Sequence, residues 1–154
     1  EIGRRRFQDE RGGERPWLTD EEIFRLSIRK GSLAPEERRE IESHVTHTYR
    51  FLVQIPWTRT LKRVPEIAYG HHEKLSGRGY PRGVGPDLIP PEVRMMTISD
   101  IYDALTAQDR PYKKAVPHEK ALDILTDEAE RGDLDKHLLR VFIEADVAHR
   151  APPL

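Results

Sequence analysis

Four residues of this chain combine side-chain types that proteins use to bind transition metals. His71 and His72 are adjacent, His44 precedes them, and Asp100 follows. Neutral imidazole together with carboxylate suits zinc, iron, nickel or manganese. If the two adjacent histidines are helical, their rings diverge by about 100°. Diverging rings suit two neighbouring ions better than one, and paired ions about 3.5–4 Å apart are a standard arrangement for phosphoester hydrolysis.

Asp100 is the most informative of these positions. It lies in a helical pattern with Val93, Met96, Thr97 and Ala104, near the middle of the apolar stripe. The pattern predicts a carboxylate that faces the core, which is costly unless the group is paired or coordinated. A buried salt bridge or a helix cap for a neighbouring element is one interpretation, and a metal or catalytic role is the other.

Each histidine also has an ordinary interpretation. His44 lies toward the apolar face of its helix and could be a hydrogen-bonded core histidine, whereas His47 points toward solvent. The adjacent pair His71–His72 is weak evidence by itself. Three inward histidines and one inward aspartate on three helices together indicate a metal site within a helical bundle.

A segment rich in Gly and Pro, residues 76–91, follows the histidine pair. It could bring backbone N–H groups and Tyr80 against a ligand, or it could be a rigid connector. Arg110 and Lys113 lie just beyond the helix of Asp100. They could hold phosphate, the arginine through its fork and the lysine as a point charge. Solvated surface charge is the alternative for both.

The elements that must position these residues are helices. Thr19 and Glu22 have capping-box spacing, and Pro35 suits the first turn of the next helix. Asp133 is expected to cap the last helix. Residues 1–16 form either a hairpin turned at Gly12–Gly13 or a loose charged arm. The predicted helices cover about residues 19–28, 35–55, 64–75, 91–107, 117–131 and 134–147 of an all-α fold.

Composition limits the classes of function. The 154 residues predict about one domain. The net charge of -1 excludes a strongly basic domain that binds duplex nucleic acid by charge alone. The sequence has no cysteine, no apolar run of membrane-spanning length and no signal-peptide pattern. We therefore expect a cytoplasmic protein.

The order of these motifs resembles the HD-GYP family, bacterial phosphodiesterases that hydrolyse cyclic di-GMP. The resemblance covers about residues 30–147, and its most specific part is the string from His71 to Lys113. The motifs that carry it are His71-His72-Glu73, Gly77, Gly79-Tyr80-Pro81, Asp100, Asp103-Ala104-Leu105-Thr106 and Asp109-Arg110-Pro111-Tyr112-Lys113.

The resemblance implies an HD-type helical bundle of about five to seven helices. It also implies a centre of two or three metal ions, commonly iron or manganese, that activates water for attack on phosphorus. No further catalytic residue is assigned. The implied metal ligands are His44, His71, His72 and Asp100, and the residues implied beside the substrate are Gly79, Tyr80, Pro81, Arg110 and Lys113.

Two departures from the family pattern affect this interpretation. The sequence contains no His-Asp dipeptide, and no histidine precedes His44. Ser76 stands where the family usually has aspartate. We therefore expect residues 17–150 to be a partial HD-GYP domain that follows the arm or hairpin of residues 1–16. The non-Met start agrees with that expectation, and a degenerate domain that never had the dipeptide is the alternative.

The leading functional hypothesis is a metal-dependent phosphodiesterase for cyclic di-GMP whose metal site this chain supplies only in part, so that it has little turnover alone. The second is a degenerate, non-catalytic module that binds nucleotide or a partner protein. A phosphohydrolase for another nucleotide is the third. Expected partners are cyclic di-GMP, a diguanylate cyclase domain or sensor domains of the parent protein, and a second copy of the chain. We also expect a bare apolar patch at Val64, Ile67 and Val93.

Overall fold

The computed structural model describes residues 5–9, 12–27, 34–107 and 114–150. Within these ranges the all-α prediction is confirmed, with seven α-helices and one small hairpin. None of the described helices is long and apolar enough to cross a membrane. The elements are β1 Arg6–Gln8, β2 Glu14–Pro16, α1 Asp20–Leu26, α2 Pro35–Leu52, α3 Val64–Gly70, a 3₁₀ turn Pro86–Leu88, α4 Pro91–Thr106, α5 His118–Glu130, α6 Lys136–Glu144 and α7 Val147–Arg150.

The chain divides into two compact units, Glu1–Ile41 and Glu42–Leu154. In the first unit, β1 and β2 pair antiparallel, so the hairpin alternative is the one observed. The Asp9 carboxylate accepts hydrogen bonds from Gly13 N and Arg15 Nε, both at 2.8 Å. Gly12 has a φ of 74°, a conformation that glycine adopts without steric cost.

The predicted capping box at the start of α1 is confirmed. The backbone N–H of Thr19 donates to a Glu22 carboxylate oxygen at 2.7 Å, and the Thr19 hydroxyl accepts from the Glu22 backbone N–H at 3.2 Å. These two bonds satisfy amide groups that the first turn of a helix otherwise leaves without partners.

The core of the second unit lies where α4, α5 and α6 pack together. One face of each helix is apolar, and burial of these faces drives the packing. The prediction that Asp133 caps α6 is wrong by two residues. Asp135 is the N-cap, and its carboxylate accepts from the amides of His137 and Leu138. The buried core residues are Ile98, Leu125, Ala129, Leu134, Leu139 and Phe142.

Helix α3 contacts α4 through a glycine. A β-carbon on Gly70 would lie 2.9 Å from Val93 Cγ1, closer than normal packing allows. Val93 is 3% exposed, and Val64 and Ile67 are half-buried. The expected bare patch at these three residues is therefore wrong, because α3 and α4 cover Val93 themselves.

This close approach predicts the effect of enlarging Gly70. Gly70→Ala is expected to lower the free energy of unfolding by about 1–3 kcal/mol, because the added methyl group overpacks the α3–α4 contact. Urea denaturation measures the change. In a Val93→Ala background, Gly70→Ala should lower the free energy of unfolding by less, because the Cγ1 atom that the new methyl group meets is gone. Gly85→Ala is the control, since a β-carbon there meets nothing within 4 Å. Equal stability of Gly70→Ala and wild type would contradict the contact.

Candidate metal centre

Three histidines, one on a helix and two in the turn after another, converge in the second unit. His44 lies on α2, and His71 and His72 follow the last residue of α3. One ring nitrogen from each lies within 4.8 Å of the others. The ring centroids of His71 and His72 are 4.0 Å apart, and that of His44 lies 5.3 Å from His72. This separation is small enough for one cation to contact all three imidazoles after minor side-chain adjustment.

The predicted divergence of His71 and His72 is wrong. Their rings lie side by side, with an interplanar angle of 39°. The prediction assumed a helix that continues to Leu75, whereas α3 ends at Gly70 and the two histidines lie in a turn. The change of backbone direction lets both rings approach His44.

Asp100 lies beside the histidine cluster, but it is not in the core. Its side chain is 34% exposed, and Oδ2 lies 3.9 Å from Nδ1 of His72. The buried face of α4 carries Val93, Thr97 and Ile98 instead. The expectation that this carboxylate faces the core is therefore corrected. Asp100 is at the edge of the apolar face, where it is available to the cluster.

The contacts of two imidazoles decide which ring nitrogens could bind a metal. Nδ1 of His71 donates to the carbonyl oxygen of Ala68 at 2.6 Å, which leaves Nε2 with its lone pair in the neutral ring. Partial burial, helped by the nearby His71, lowers the pKa of His72 to about 4 against the opposing effect of Asp100. His72 is therefore neutral at pH 7.

Tyr80 forms one wall of the centre. Its ring packs on that of His72, with centroids 4.7 Å apart, and its backbone N–H donates to the His72 carbonyl at 3.2 Å. Gly79 makes this approach possible, because a β-carbon there would overlap the backbone of Glu73 and Lys74. Pro81 follows in a cis peptide bond with Tyr80. The structure thus explains the Gly-Tyr-Pro sequence as a close backbone contact that carries an aromatic ring to the histidine cluster.

Glu73 holds the loop that follows, and sequence reasoning assigned it no role. Its side chain is fully buried, and its two oxygens accept from the backbone N–H groups of Arg82 at 2.8 Å and Val84 at 3.1 Å. The available signal was a carboxylate three residues before a Gly-rich segment. Such a segment has many backbone N–H groups and few regular hydrogen-bond partners for them.

A second anchor joins the loop to the turn between α5 and α6. The Ser76 hydroxyl donates to Asp133, and Arg78 Nη2 lies 3.0 Å from the same carboxylate oxygen. These bonds lower the pKa of Asp133, with the Ser76 hydrogen bond as the largest cause. An aspartate at position 76, as in the family pattern, would place two carboxylates together. The departure at Ser76 therefore fits the presence of Asp133.

The remaining predicted site residues are not tested. Arg110 and Lys113 lie outside the described residues. Contact of Gly79, Tyr80 and Pro81 with a substrate stays a prediction. His47 is exposed on α2, as expected.

Comparison with known proteins gives a consistent family. A model of the HD domain family matches residues 20–138. The chain is 44% identical over 95 residues to 3'3'-cGAMP-specific phosphodiesterase 3 of Vibrio cholerae. The aligned region covers 62% of this chain and 20% of the relative. It is 36% identical over 105 residues to a probable cyclic di-GMP phosphodiesterase of the same species. This match covers 65% of this chain and 24% of the relative.

A third relative comes from a different species. The chain is 36% identical over 97 residues to a cyclic di-GMP phosphodiesterase of Thermotoga maritima, covering 63% of this chain and 26% of the relative. The chain thus spans about a fifth to a quarter of the length of these curated relatives.

The buried position of Glu73 predicts a specific defect in Glu73→Gln. The amide NH₂ cannot accept a hydrogen bond, so one of the two loop N–H groups loses its acceptor. We expect unfolding to become easier by about 1–3 kcal/mol. Amide exchange at Arg82 or Val84 should also accelerate. Urea denaturation and hydrogen exchange measure these effects, with Glu66→Gln on the exposed side of α3 as the control. Unchanged amide protection would show that Glu73 does not hold the loop.

The lowered pKa of Asp133 predicts a pH-dependent contribution to stability. A carboxyl group with a depressed folded-state pKa stabilises the fold above its unfolded value, 3.8, and loses this effect as pH falls through the folded pKa. Asp133→Asn should therefore destabilise the protein by about 1–3 kcal/mol near pH 7. The difference from wild type should shrink from about pH 5 downward. Denaturation at several pH values tests this, with exposed Asp123→Asn as the control. A difference that does not depend on pH would be inconsistent with the assignment.

Proposed function

The chain belongs to the HD domain family, as its HD-GYP motifs predict, and on this basis we propose that it forms part of a metal-dependent phosphodiesterase site for cyclic di-GMP. The observation that carries the proposal is the convergence of His44, His71 and His72 beside Asp100 and Tyr80. Similarity to phosphodiesterases that act on cyclic di-GMP and 3'3'-cGAMP supports the substrate class.

The residues present fit a divalent transition metal. Three imidazoles can reach one ion, and the ring nitrogen of His71 that does not contact Ala68 is available as a ligand. Asp100 adds an oxygen ligand, which favours iron or manganese among the metals that imidazole binds. A bound ion would supply a hydroxide at neutral pH and stabilise charge on the phosphoryl group. We propose a centre of two or three ions, of which this cluster holds at least one.

The loop would orient the phosphodiester. Tyr80 lies against His72, so its hydroxyl is carried on the same surface as the metal ligands. Partial burial raises the pKa of Tyr80 above 10, and Glu42 and Asp100 raise it further. The phenol therefore stays protonated at neutral pH and can donate a hydrogen bond to a phosphate oxygen. Arg110 and Lys113 are proposed as further phosphate contacts from the HD-GYP resemblance.

A non-catalytic module is the second candidate, and a specific observation favours it. The sequence contains no His-Asp dipeptide, although this pair supplies metal ligands in the HD-GYP pattern. A site with the ligands described here could hold a metal and a nucleotide without turnover. Its loop near Tyr80 could instead contact a diguanylate cyclase domain, a sensor domain of the parent protein or a second copy of the chain.

Metal content and hydrolysis test both candidates. The chain is purified without oxygen, and its metal is measured by mass spectrometry. Cyclic di-GMP hydrolysis is then followed by chromatography. We expect bound iron or manganese in wild type and its loss in His71→Ala. Hydrolysis by wild type is expected to be slow, because the chain supplies only part of the metal site, and it should fall below detection in the variant, since even indirect disturbance of a metal ligand costs 10–100-fold. His47→Ala, exposed on the same helix as His44, is the control for losing a histidine.

The outcomes separate the candidates. Slow hydrolysis that is lost in His71→Ala would favour the partial phosphodiesterase site, whereas metal and nucleotide bound with no detectable hydrolysis at all would favour the non-catalytic module. Hydrolysis that persists at the wild-type rate in His71→Ala would show that the cluster is not the site. Failure of wild type to retain metal and to bind nucleotide would contradict both candidates.

A further inference from the structure

A cluster of two tyrosines and an arginine lies next to the metal centre and is not used in the function proposed above. The rings of Tyr49 and Tyr69 are 4.5 Å apart, with an interplanar angle of 33°. The Arg82 guanidinium carbon lies 5.5 Å from the centre of the Tyr69 ring, within cation–π range. Together they form a platform of stacked side chains, the Tyr49–Tyr69–Arg82 platform.

The platform is built on the elements that carry the metal ligands. Tyr49 lies on α2 with His44, and Tyr69 lies in the last turn of α3, two residues before His71. Arg82 follows Tyr80, whose ring packs on His72. A nucleotide whose phosphate lies at the metal centre would therefore extend its sugar and base toward the platform.

Arg82 is held in place before any ligand binds. Its backbone N–H donates to the buried Glu73 carboxylate, which fixes the start of the side chain. Its Nε lies 3.8 Å from Glu73, and Tyr69 supports one face of the guanidinium. The side chain is still 44% exposed. Because Nε is turned toward Glu73, the terminal nitrogens are the donors left for a ligand. Prior ordering of this kind reduces the entropy lost on binding.

We propose that Arg82 determines base specificity by donating two hydrogen bonds to O6 and N7 of a guanine in the substrate. This inference rests on the proposed function and deepens it. Guanine presents two acceptors on one edge, which match the arginine fork, whereas adenine presents one acceptor and one donor there. A site with Arg82 therefore accepts guanine and disfavours adenine at this position.

One arginine reads one base of the dinucleotide. Cyclic di-GMP can place either guanine at Arg82, and 3'3'-cGAMP can place its single guanine there. Cyclic di-AMP has no guanine to offer. We therefore expect similar affinity for the first two compounds and affinity at least about tenfold lower for the third, the discrimination typical of one bidentate contact.

Calorimetric titration of the full chain with the three cyclic dinucleotides, in the presence of Mn²⁺, tests this assignment. Arg82→Ala should bring the affinity ratio of cyclic di-GMP to cyclic di-AMP close to one and leave cyclic di-AMP binding unchanged. Arg82→Lys keeps the charge but loses the fork, so it should not restore the ratio. Arg50→Ala, an exposed arginine near Tyr49 on α2, should keep the wild-type ratio. Metal content and thermal unfolding confirm that each variant is folded.

Other outcomes overturn the inference. Equal weakening of all three dinucleotides in Arg82→Ala would mean that Arg82 contacts phosphate or only supports the loop. Full restoration of the ratio by Arg82→Lys would mean that charge alone matters. An unchanged ratio in both variants would remove Arg82 from recognition. If wild type binds none of the dinucleotides, the proposed function itself fails, and this inference fails with it.

Discussion

The candidate site depends on one buried carboxylate, that of Glu73. A charged group removed from water is tolerated only when hydrogen bonds replace the lost solvation. The backbone N–H groups of Arg82 and Val84 provide them, so the chain must fold back over Glu73. This return brings Tyr80 onto His72, and it is possible only because Gly79 lacks a β-carbon. The loop, the aromatic wall and the arginine beside it therefore follow from a single desolvated group.

Helix α4 links this loop to the rest of the second unit. Its buried face packs on the core through Ile98 and on α3 through the contact of Val93 with Gly70. Its edge carries Asp100 to the histidine cluster. Arg94 on the same helix donates to the carbonyls of Pro86 and Ile89, which closes the far end of the loop. One helix thus supports the core, a candidate ligand and the loop.

Much of the fold could be predicted from signals that act between residues close together in the sequence. The capping box at Thr19 and the prolines at helix starts act within a few residues, so the sequence predicts them well. The three histidines also lie together, as expected, although His44 is exposed and not inward as the helical pattern predicted, and their role as metal ligands stays a prediction. The errors arose where a helix was assumed to continue past Gly70, and where a helical wheel placed Asp100 in the core. Both depend on tertiary contacts, as does the role of Glu73, whose partners lie in a loop without a regular pattern.

Three consecutive residues after Glu73 contact the α5–α6 region. Lys74 pairs with Glu128, the Leu75 amide donates to the Asp133 carbonyl, and the Ser76 hydroxyl donates to the Asp133 carboxylate. Cooperative units of a protein open together when such bonds join them. We therefore expect the loop beside the histidine cluster to share its local unfolding equilibrium with the C-terminal helices. Loosening at that end of the chain would lower the occupancy of the ordered loop without altering any of the candidate ligands.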